Sequence, residues 1–523
     1  MPSPDWSALA ARLRGRLILP GDRSYAVLRQ PFNARIDQHP VAVARVLGED
    51  DVLACVRFCA SNGVAITCRS GGHGAEGYCS RDGQLMIDLS AMQSIEVDLE
   101  TQLVHVAAGS FWGQVDLATY PFGLAACGGG CSEVGVAGLS LGGGYGPLSR
   151  SHGMTIDNMV EARVVTGRDL KVVIASPTSE PDLYWALRGG GGGNFGVVTR
   201  FSYRLHPIGR AFCAGTLVYA WGANTKAMFK FYRDWMRSPG ADERLTFLPI
   251  FGLNPNGDPA GVLSTFFNGD FDEGLAYLVQ IMTAAAMPLP MNAGPGKTLA
   301  DVLPALMGPM TLPAYTGTES TTAWPGSGLF WKNGFLHNDF PDAAIDTFMA
   351  WLEKAPRTPS EVSTSGRSRL GMKHAPDLTF GYIESLGGAM GRVGATDTAF
   401  YWRDQLFSFS FIGIYPLENP EMKDQVRQWA EQFRAAMAPY FSGGVYVNYM
   451  QQDLPNWHTA YYGANFPRLR QVKQTYDPQH LFVFPQDLAQ PDKVVTSAKA
   501  GAKKLTQPAA KKAAARKIVR ARR

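Results

Sequence analysis

The residues with the clearest capacity for chemistry lie in three glycine-rich runs. His73 lies in the turn of residues 69–74, Cys131 lies in the run of residues 128–146, and a third run covers residues 188–196. Glycines let the backbone approach a ligand closely and present consecutive N–H groups, which bind phosphate without a positive side chain. His73 would then place a nucleophilic imidazole beside a phosphate-bearing ligand. The plain alternatives are a tight structural turn and a buried, inert thiol.

The glycine runs match neither of the common nucleotide-binding fingerprints. No G-x-x-x-x-G-K-[ST] sequence occurs, which excludes a P-loop. Residues 142–146 resemble a Rossmann turn only weakly, because no well-placed acidic residue and no parallel βαβ series accompany them. Three such loops on one domain instead suggest a dinucleotide threaded between two subdomains.

The elements that must position these runs are of mixed type, and they predict an α+β fold. We expect a first domain over residues 30–210, a second α+β domain with one large antiparallel sheet over residues 211–440, an end segment over residues 441–490 and a disordered basic tail over residues 491–523. The predicted strands are Val41–Leu47, Val64–Cys68, Leu85–Leu89, Gln102–Ala107, Met159–Thr166, Lys171–Ala175, Ala214–Tyr219, Val262–Asn268, Thr379–Ser385 and Leu406–Ile414, and the predicted helices are Asp50–Ala60, Leu183–Arg188, Ala343–Lys354 and Glu421–Met437.

Composition narrows the class of protein. The chain has 523 residues, of which 46% are hydrophobic and 18% charged, so it can bury a core and is not mainly disordered. Residues 493–523 hold eleven Lys and Arg and no Asp or Glu, whereas the whole chain has 49 basic and 45 acidic residues. The body is therefore acidic, which argues against a nucleic-acid-binding core.

The sequence also indicates the cellular compartment of the protein. No membrane span is expected, because no stretch of about 18 apolar residues occurs. The N-terminus lacks the layout of a secretory signal, and the seven cysteines are odd in number, so a disulfide framework is not expected and we predict a cytoplasmic protein.

Four motifs in order resemble the berberine-bridge-enzyme-like flavoprotein oxidases, a branch of the vanillyl-alcohol-oxidase superfamily with a PCMH-type FAD-binding domain. The resemblance covers residues 30–490. Its motifs are T-C-R-S-G-G-H-G at 67–74; C-S-E-V-G-V-A-G at 131–138 with L-G-G-G-Y-G at 141–146 and G-M-T-I-D-N at 153–158; D-L-Y-W-A-L-R-G-G-G at 182–191 with N-F-G-V-V-T at 194–199; and Y-V-N-Y at 446–449 with Y-Y-G-A-N at 461–465 and F-P-Q at 484–486.

This resemblance implies FAD held by two covalent bonds, and it implies the fold of a two-subdomain FAD-binding domain followed by a substrate domain. The flavin 8α carbon would be attached to His73, and flavin C6 would be attached to the sulfur of Cys131. No metal site is predicted. The remaining residues implied in FAD binding are Arg69, Ser70, Gly71, Gly72, Gly74, Val134, Gly135, Gly138, Leu141, Gly142, Gly143, Tyr145, Asp157, Asn158 and Val197.

The resemblance also suggests catalytic residues. Sugar-oxidising relatives use a tyrosine of the Y-x-N-Y strand as the base, and Tyr449 matches it. Tyr446 lies three residues earlier, so in an extended strand the two side chains would point to opposite faces. Glu384 lies on a strand that resembles the one facing the flavin, where it would contact substrate, act as a second polar group or be a surface charge. A tyrosine has a reference pKa of about 10, so a cation or the oxidised flavin would have to lower it; the candidate cations are Lys332, Lys373 and Arg403.

Further residues concern the reaction with oxygen and the binding of substrate. In the proteins that the chain resembles, valine three residues after the flavin-linked cysteine goes with oxidase activity, so the resemblance implies that Val134 favours an oxidase that produces hydrogen peroxide. Ring-stacking contacts to substrate could come from a set of tryptophans, although such residues are more often core: Trp221, Trp235, Trp324, Trp331, Trp351, Trp402 and Trp457.

The leading interpretation is therefore an FAD-dependent oxidase of a carbohydrate or other alcohol, with molecular oxygen as acceptor. The second is a tailoring oxidase that oxidises a glycoside or closes a ring on a secondary metabolite. Two readings of other classes are a protein whose basic tail binds nucleic acid and a non-catalytic flavin-binding module. The oligomeric state is left open.

Overall fold

The computed structural model describes residues 4–253, 259–291, 293–294, 296–317, 327–356 and 379–490. The predicted tail of residues 491–523 lies outside these ranges, as do Lys373 and Trp324.

A four-stranded sheet at the N-terminal end carries the first glycine turn. Its strands are β1 (Arg16–Ile18), β2 (Ala42–Arg45), β3 (Ile66–Arg69) and β4 (Leu85–Asp88), in the order β1-β2-β4-β3. β2, β4 and β3 are parallel, and β1 is antiparallel to β2. The helix Glu49–Asn62 connects β2 to β3 and ends at Gly63, whose φ of 63° is left-handed. The turn that holds His73 therefore starts where a buried parallel strand ends.

A second sheet of five strands follows. The strands of this region are β5 (Ile95–Asp98), β6 (Leu103–Ala107), β7 (Leu124–Ala125), β8 (Met159–Thr166), β9 (Val172–Ala175), β10 (Gly196–Arg204) and β11 (His206–Pro207). The antiparallel five-stranded sheet has the order β5-β6-β10-β8-β9, and β7 pairs with β11. Besides Glu49–Asn62, the α-helices of residues 4–210 are Trp6–Ala10, Tyr25–Leu28, Trp112–Thr119, Val136–Gly142, Ser149–His152 and Pro181–Leu187.

The third sheet has seven antiparallel strands. They are β12 (Phe212–Ala220), β13 (Leu245–Leu253), β14 (Pro259–Phe267), β15 (Met307–Met310), β16 (Ser327–Phe335), β17 (Phe380–Ser385) and β18 (Phe407–Pro416), in the order β15-β12-β14-β13-β17-β18-β16. An aromatic core packs one face of this sheet against helices. The helices of this part are Ala223–Met236, Phe271–Ala284, Leu299–Leu306, Leu312–Thr316, Asp342–Glu353 and Pro420–Met437.

The C-terminal segment returns to the first sheet. It contains the helices Trp457–Tyr462 and Phe466–Tyr476, and the Ile66 amide donates to the Leu481 carbonyl at 2.7 Å. Lys473 and Asp477 form a buried ion pair of 2.7 Å beside this contact. Residues up to Gln490 form one compact unit, so the domain boundaries at 210 and 440 stay predictions.

The α+β class and the large antiparallel sheet are confirmed. The strand Met159–Thr166 agrees to the residue, and other predicted elements are shifted by only a few residues. Within the ranges described above, no helix is both long and apolar enough to cross a membrane.

Candidate active site

A cavity of about 460 Å³ lies between the glycine-rich runs and one face of the seven-stranded sheet. The loop after β3, the loop around Cys131, residues 191–193 and the segment 446–450 form its other walls. The predicted site residues that line it are His73, Cys131, Ser70, Gly71, Gly72, Gly74, Val134, Gly135, Gly138, Leu141, Tyr145, Val197, Glu384, Tyr446 and Tyr449.

Five predicted site residues do not line this cavity and instead hold its loops in place. Asp157 forms a two-point ion pair with Arg403 at 2.9 Å, and Asn158 donates to the carbonyls of His152 and Met154. The guanidinium of Arg69 donates to the Leu28 carbonyl. The remaining two, Gly142 and Gly143, lie against Asn448 and Tyr446.

The two glycine loops approach each other so closely that side chains are excluded. A Cβ on Gly135 would lie 2.3 Å from the backbone nitrogen of Gly71 and 2.5 Å from Ser70 Oγ. The loop around Cys131 is fixed from the other side, because Trp112 N donates to Val134 O at 3.1 Å and Val136 N donates to Ser110 O at 2.9 Å. Glycine is therefore required here by backbone packing.

His73 is half-buried on the cavity wall and stacks on Phe32. The ring centroids are 4.4 Å apart and the planes differ by 6°. Desolvation lowers the pKa of His73 to about 4, against the opposing charge of Glu133. The imidazole is consequently neutral at pH 7, which is its nucleophilic form. Phe32 was missed by sequence reasoning, because nothing in its local sequence connects it to His73.

Cys131 is one of three cysteines on the cavity wall. Cys68 and Cys79 line it too, and burial raises the pKa of Cys68 to about 12 and also raises that of Cys79. All seven cysteines lie within the described ranges, and none of them forms a disulfide bond there. The residue after Cys131 is anchored, because Ser132 N donates to the Thr316 carbonyl at 3.1 Å.

Tyr449 and Glu384 meet at the sheet side of the cavity. The Tyr449 hydroxyl donates to Glu384 Oε1 at 2.7 Å. The other carboxylate oxygen, Oε2, lies 3.0 Å from the Tyr145 hydroxyl and 3.1 Å from Ser408 Oγ. Trp331 stacks on the Tyr449 ring with 4.6 Å between centroids. The sequence offers Glu384 as a substrate contact, a second polar group or a surface charge, and the structure makes it the hydrogen-bond partner of Tyr449.

The charged group beside Tyr449 is a carboxylate, whereas the sequence predicts a cation there. Burial and the nearby carboxylate of Glu384 raise the pKa of Tyr449 well above its usual value. Lys332 pairs with Asp453 at 2.6 Å and Arg403 with Asp157, so both candidate cations are committed elsewhere. The expectation that one of these two lowers the pKa of Tyr449 is therefore wrong.

Tyr446 also lines the cavity, which corrects the extended-strand prediction. Residues Val447–Tyr449 form a single 3-10 turn, and the rings of Tyr446 and Tyr449 meet edge to face at 5.1 Å. A turn brings side chains three residues apart onto one side, whereas a strand would separate them. The Tyr446 hydroxyl accepts hydrogen bonds from Gly144 N at 2.7 Å and Asn448 Nδ2 at 2.8 Å, so it ties the glycine loop to this turn.

Of the tryptophans proposed to stack on substrate, Trp331 lines the cavity and the others within the described ranges do not. In the part of the chain that the structure describes, no group of three or more His, Cys, Asp or Glu could hold a metal ion.

Two family models match the chain. The model described as an FAD binding domain matches residues 40–176, and the model described as berberine and berberine like matches residues 445–488. These matches include both glycine loops, His73, Cys131 and the Y-x-N-Y segment.

Known proteins are similar over most of the chain. An uncharacterized FAD-linked oxidoreductase of Bacillus subtilis (strain 168) is 29% identical over 91% of this chain and 97% of its own length. A glucooligosaccharide oxidase of Sarocladium strictum is 28% identical over 86% of this chain and 87% of its own. A BBE-like protein of Physcomitrella patens has the same fold, with a TM-score of 0.75, 24% identity, and coverage of 92% of this chain and 98% of its own.

Proposed function

Because the chain belongs to the berberine-bridge-enzyme-like FAD-linked oxidoreductases, we propose that it oxidises an alcohol of a small molecule and transfers the electrons to oxygen, giving hydrogen peroxide. The single observation that carries the proposal is that one cavity collects His73, Cys131 and the Tyr449–Glu384 pair. A carbohydrate is one candidate substrate, because a relative is named as a glucooligosaccharide oxidase.

The cavity fits a flat cofactor held against backbone. A Cβ added at Gly74 or Gly138, both on the cavity wall, would meet no heavy atom within 4 Å, so these positions leave open space over the main chain. Thr67, on the same wall, keeps a buried hydroxyl oxygen for which the described residues supply no hydrogen-bond partner. Buried polar groups normally have partners, so a ligand group that bonds Thr67 is in keeping with the fit.

We propose that His73 and Cys131 hold the FAD covalently. His73 is neutral and fixed by stacking, and Cys131 lies on a loop that is anchored on both sides. Cys68 and Cys79 also line the cavity, but burial keeps their thiols protonated at neutral pH.

The chain's own residues supply a proton relay. Bound FAD would supply the acceptor for the hydride that leaves the carbinol carbon. Tyr449 takes the proton of the substrate hydroxyl while its own proton moves to Glu384 Oε1 over the 2.7 Å hydrogen bond. The negative charge thus passes from Glu384 to the substrate oxygen, which forms the carbonyl double bond as the hydride leaves the carbinol carbon, and no phenolate forms beside a carboxylate. The raised pKa of Tyr449 is compatible with this relay because the tyrosine never carries the charge alone.

Oxygen is the proposed second substrate. Val134 lines the cavity, and its small side chain is in keeping with the oxygen access that the resemblance implies.

The test of the cofactor assignment is acid precipitation of the purified yellow protein followed by peptide mapping. We expect flavin to stay in the pellet on peptides that contain His73 and Cys131. His73→Ala and Cys131→Ala should each keep one bond, and Cys79→Ala, as the matched cavity thiol, should keep both. A colourless protein, or flavin released intact from the wild type, contradicts the assignment.

The test of the activity is oxygen consumption with a panel of alcohols. We expect hydrogen peroxide to form in a one-to-one ratio with the oxidised alcohol. Substrate oxidation with an artificial electron acceptor but without oxygen uptake would contradict the oxidase.

The second candidate function, tailoring of a secondary metabolite, is favoured by a specific observation. The sheet face of the cavity carries the apolar side chains Leu248, Ile250, Phe380 and Ile412.

A further inference from the structure

The wall of the cavity formed by the seven-stranded sheet changes from polar to apolar along β17. Glu384, Tyr382 and Phe380 alternate with residues that face the helices, and all three line the cavity. Side chains on one face of a strand are spaced by about 6.6 Å. The wall therefore extends over two steps, or about 13 Å, from the carboxylate to the ring of Phe380.

Neighbouring strands repeat this gradient. Glu384 lies opposite Ser408 on β18, and Phe380 lies opposite Ile412. Tyr382 lies opposite Ile250 on β13. A small cluster of apolar side chains continues from Phe380 toward the loop after β3 that carries His73. It comprises Ala75, Leu329, Ile412 and Ile414, with Phe32, Trp331, Phe380 and Tyr382 packed against it.

Two polar side chains on the cavity wall, Thr246 and Asn448, are already bonded to backbone carbonyls, whereas the buried Nε1 of Trp331 on the same wall has no hydrogen-bond partner among the described residues. Thr246 Oγ1 donates to the Pro147 carbonyl at 3.1 Å, and Asn448 Nδ2 donates to the Leu139 carbonyl at 2.9 Å. A ligand with many hydroxyls would have to bury them against Ile250, Phe380 and Ile412, which offer no hydrogen bonds.

We propose that the substrate is an uncharged alcohol whose carbinol carbon is attached to a flat apolar ring system. The hydroxyl meets Tyr449 and Glu384, and the ring body lies along Tyr382 and Phe380, with Trp331 at its side. Flat rings pack against aromatic side chains in offset or edge-on contact. This inference rests on the proposed alcohol oxidation, and it selects against carbohydrate as the substrate class.

Two alcohols and one aromatic compound without a carbinol hydrogen test it on the full-length holoenzyme. The alcohols are 2-naphthalenemethanol and cellobiose, and the readout is the anaerobic loss of visible flavin absorption in a stopped-flow instrument. The third probe is 2-naphthol, which has no carbinol hydrogen; its binding is read from the shift of the oxidised flavin spectrum. We expect 2-naphthalenemethanol to reduce the flavin at least tenfold more efficiently than cellobiose, and 2-naphthol to bind.

Two variants, one on the cavity wall and one away from it, test where the ring of the ligand binds. Phe380→Ala should raise the Kd for 2-naphthol about tenfold, because a large apolar contact is removed. Phe330→Ala is the matched control: it removes a half-buried phenylalanine of β16 that does not line the cavity, and it should leave that Kd unchanged. Flavin content and thermal midpoint of both variants establish that they fold.

The outcomes separate this inference from the proposed function. Efficient reduction by cellobiose, with no binding of 2-naphthol, overturns the inference and leaves alcohol oxidation standing. Binding of 2-naphthol that depends on Phe380, with no reduction by any alcohol, supports the apolar site and overturns alcohol oxidation. Equal effects of Phe380→Ala and Phe330→Ala overturn the placement of the ring.

Discussion

Replacing Glu384 with glutamine tests the proton relay, because the change keeps the side-chain shape and removes the capacity to take up a proton. In the native site Oε1 accepts from Tyr449 at 2.7 Å, while Oε2 lies 3.0 Å from the Tyr145 hydroxyl and 3.1 Å from Ser408 Oγ. Glutamine has one acceptor oxygen. It can serve the two hydroxyls on the Oε2 side only by turning its NH₂ group toward Tyr449, whose proton then has no acceptor.

The rate should fall far more than the stability. A positioned proton acceptor contributes about 10²–10⁴-fold to a rate, which corresponds to about 3–5 kcal/mol in the activation free energy. The free energy of unfolding should change by less than about 1 kcal/mol, because the loss of a charge-assisted hydrogen bond is offset by no longer burying a carboxylate.

The assay is anaerobic reduction of the flavin by an alcohol substrate, followed by visible absorption across pH, with flavin content and thermal midpoint as controls. Tyr449→Phe should cause a loss of similar size. Since the two residues act as one unit, the double variant should be no slower than the slower single variant. A native rate in Glu384→Gln, or a double-variant loss equal to the product of the single losses, would refute the relay.

Three further substitutions test the His73 wall, the contact between the glycine loops and a buried carboxylate. Phe32→Ala should reduce the fraction of chains with flavin bonded to His73, as counted by peptide mapping, because the stacked ring at 4.4 Å no longer orients the imidazole. Gly135→Ala should abolish FAD retention, since its Cβ would lie 2.3 Å from a backbone nitrogen of the opposite loop, whereas Gly48→Ala, with no heavy atom within 4 Å, should retain FAD. Burial raises the pKa of Asp116 to about 7, whereas an exposed aspartate has a pKa of about 4. The free energy of unfolding therefore falls as the pH rises from about 4 to about 7, and above that range the buried charge lowers it by about 4 kcal/mol. Asp116→Asn should therefore raise the thermal midpoint at pH 8 and raise it less at pH 5; a gain independent of pH would contradict this assignment.

The most instructive corrections concern the catalytic tyrosines. The sequence pattern predicts an extended strand for residues 446–449, whereas the structure has a 3-10 turn that brings both rings to the cavity. The turn is imposed by distant partners, since the Tyr446 hydroxyl is held by Gly144 and its backbone N–H donates to Asn333 Oδ1 at 3.0 Å. Four residues of local sequence contain no sign of either contact.

The amino-acid sequence by itself determined the α+β class, ten of the strands, four of the helices, and the glycine loops with His73 and Cys131. Those features depend on short-range properties: side-chain periodicity sets a strand such as Met159–Thr166, and runs of glycine mark loops in which the backbone can approach a ligand closely. The tertiary structure decided which residues meet. The partnership of Glu384 with Tyr449, the stacking of Phe32 on His73 and the ion pairs that occupy Lys332 and Arg403 each join positions far apart in the chain. Such contacts follow from how sheets and loops pack, and local residue patterns do not specify that packing.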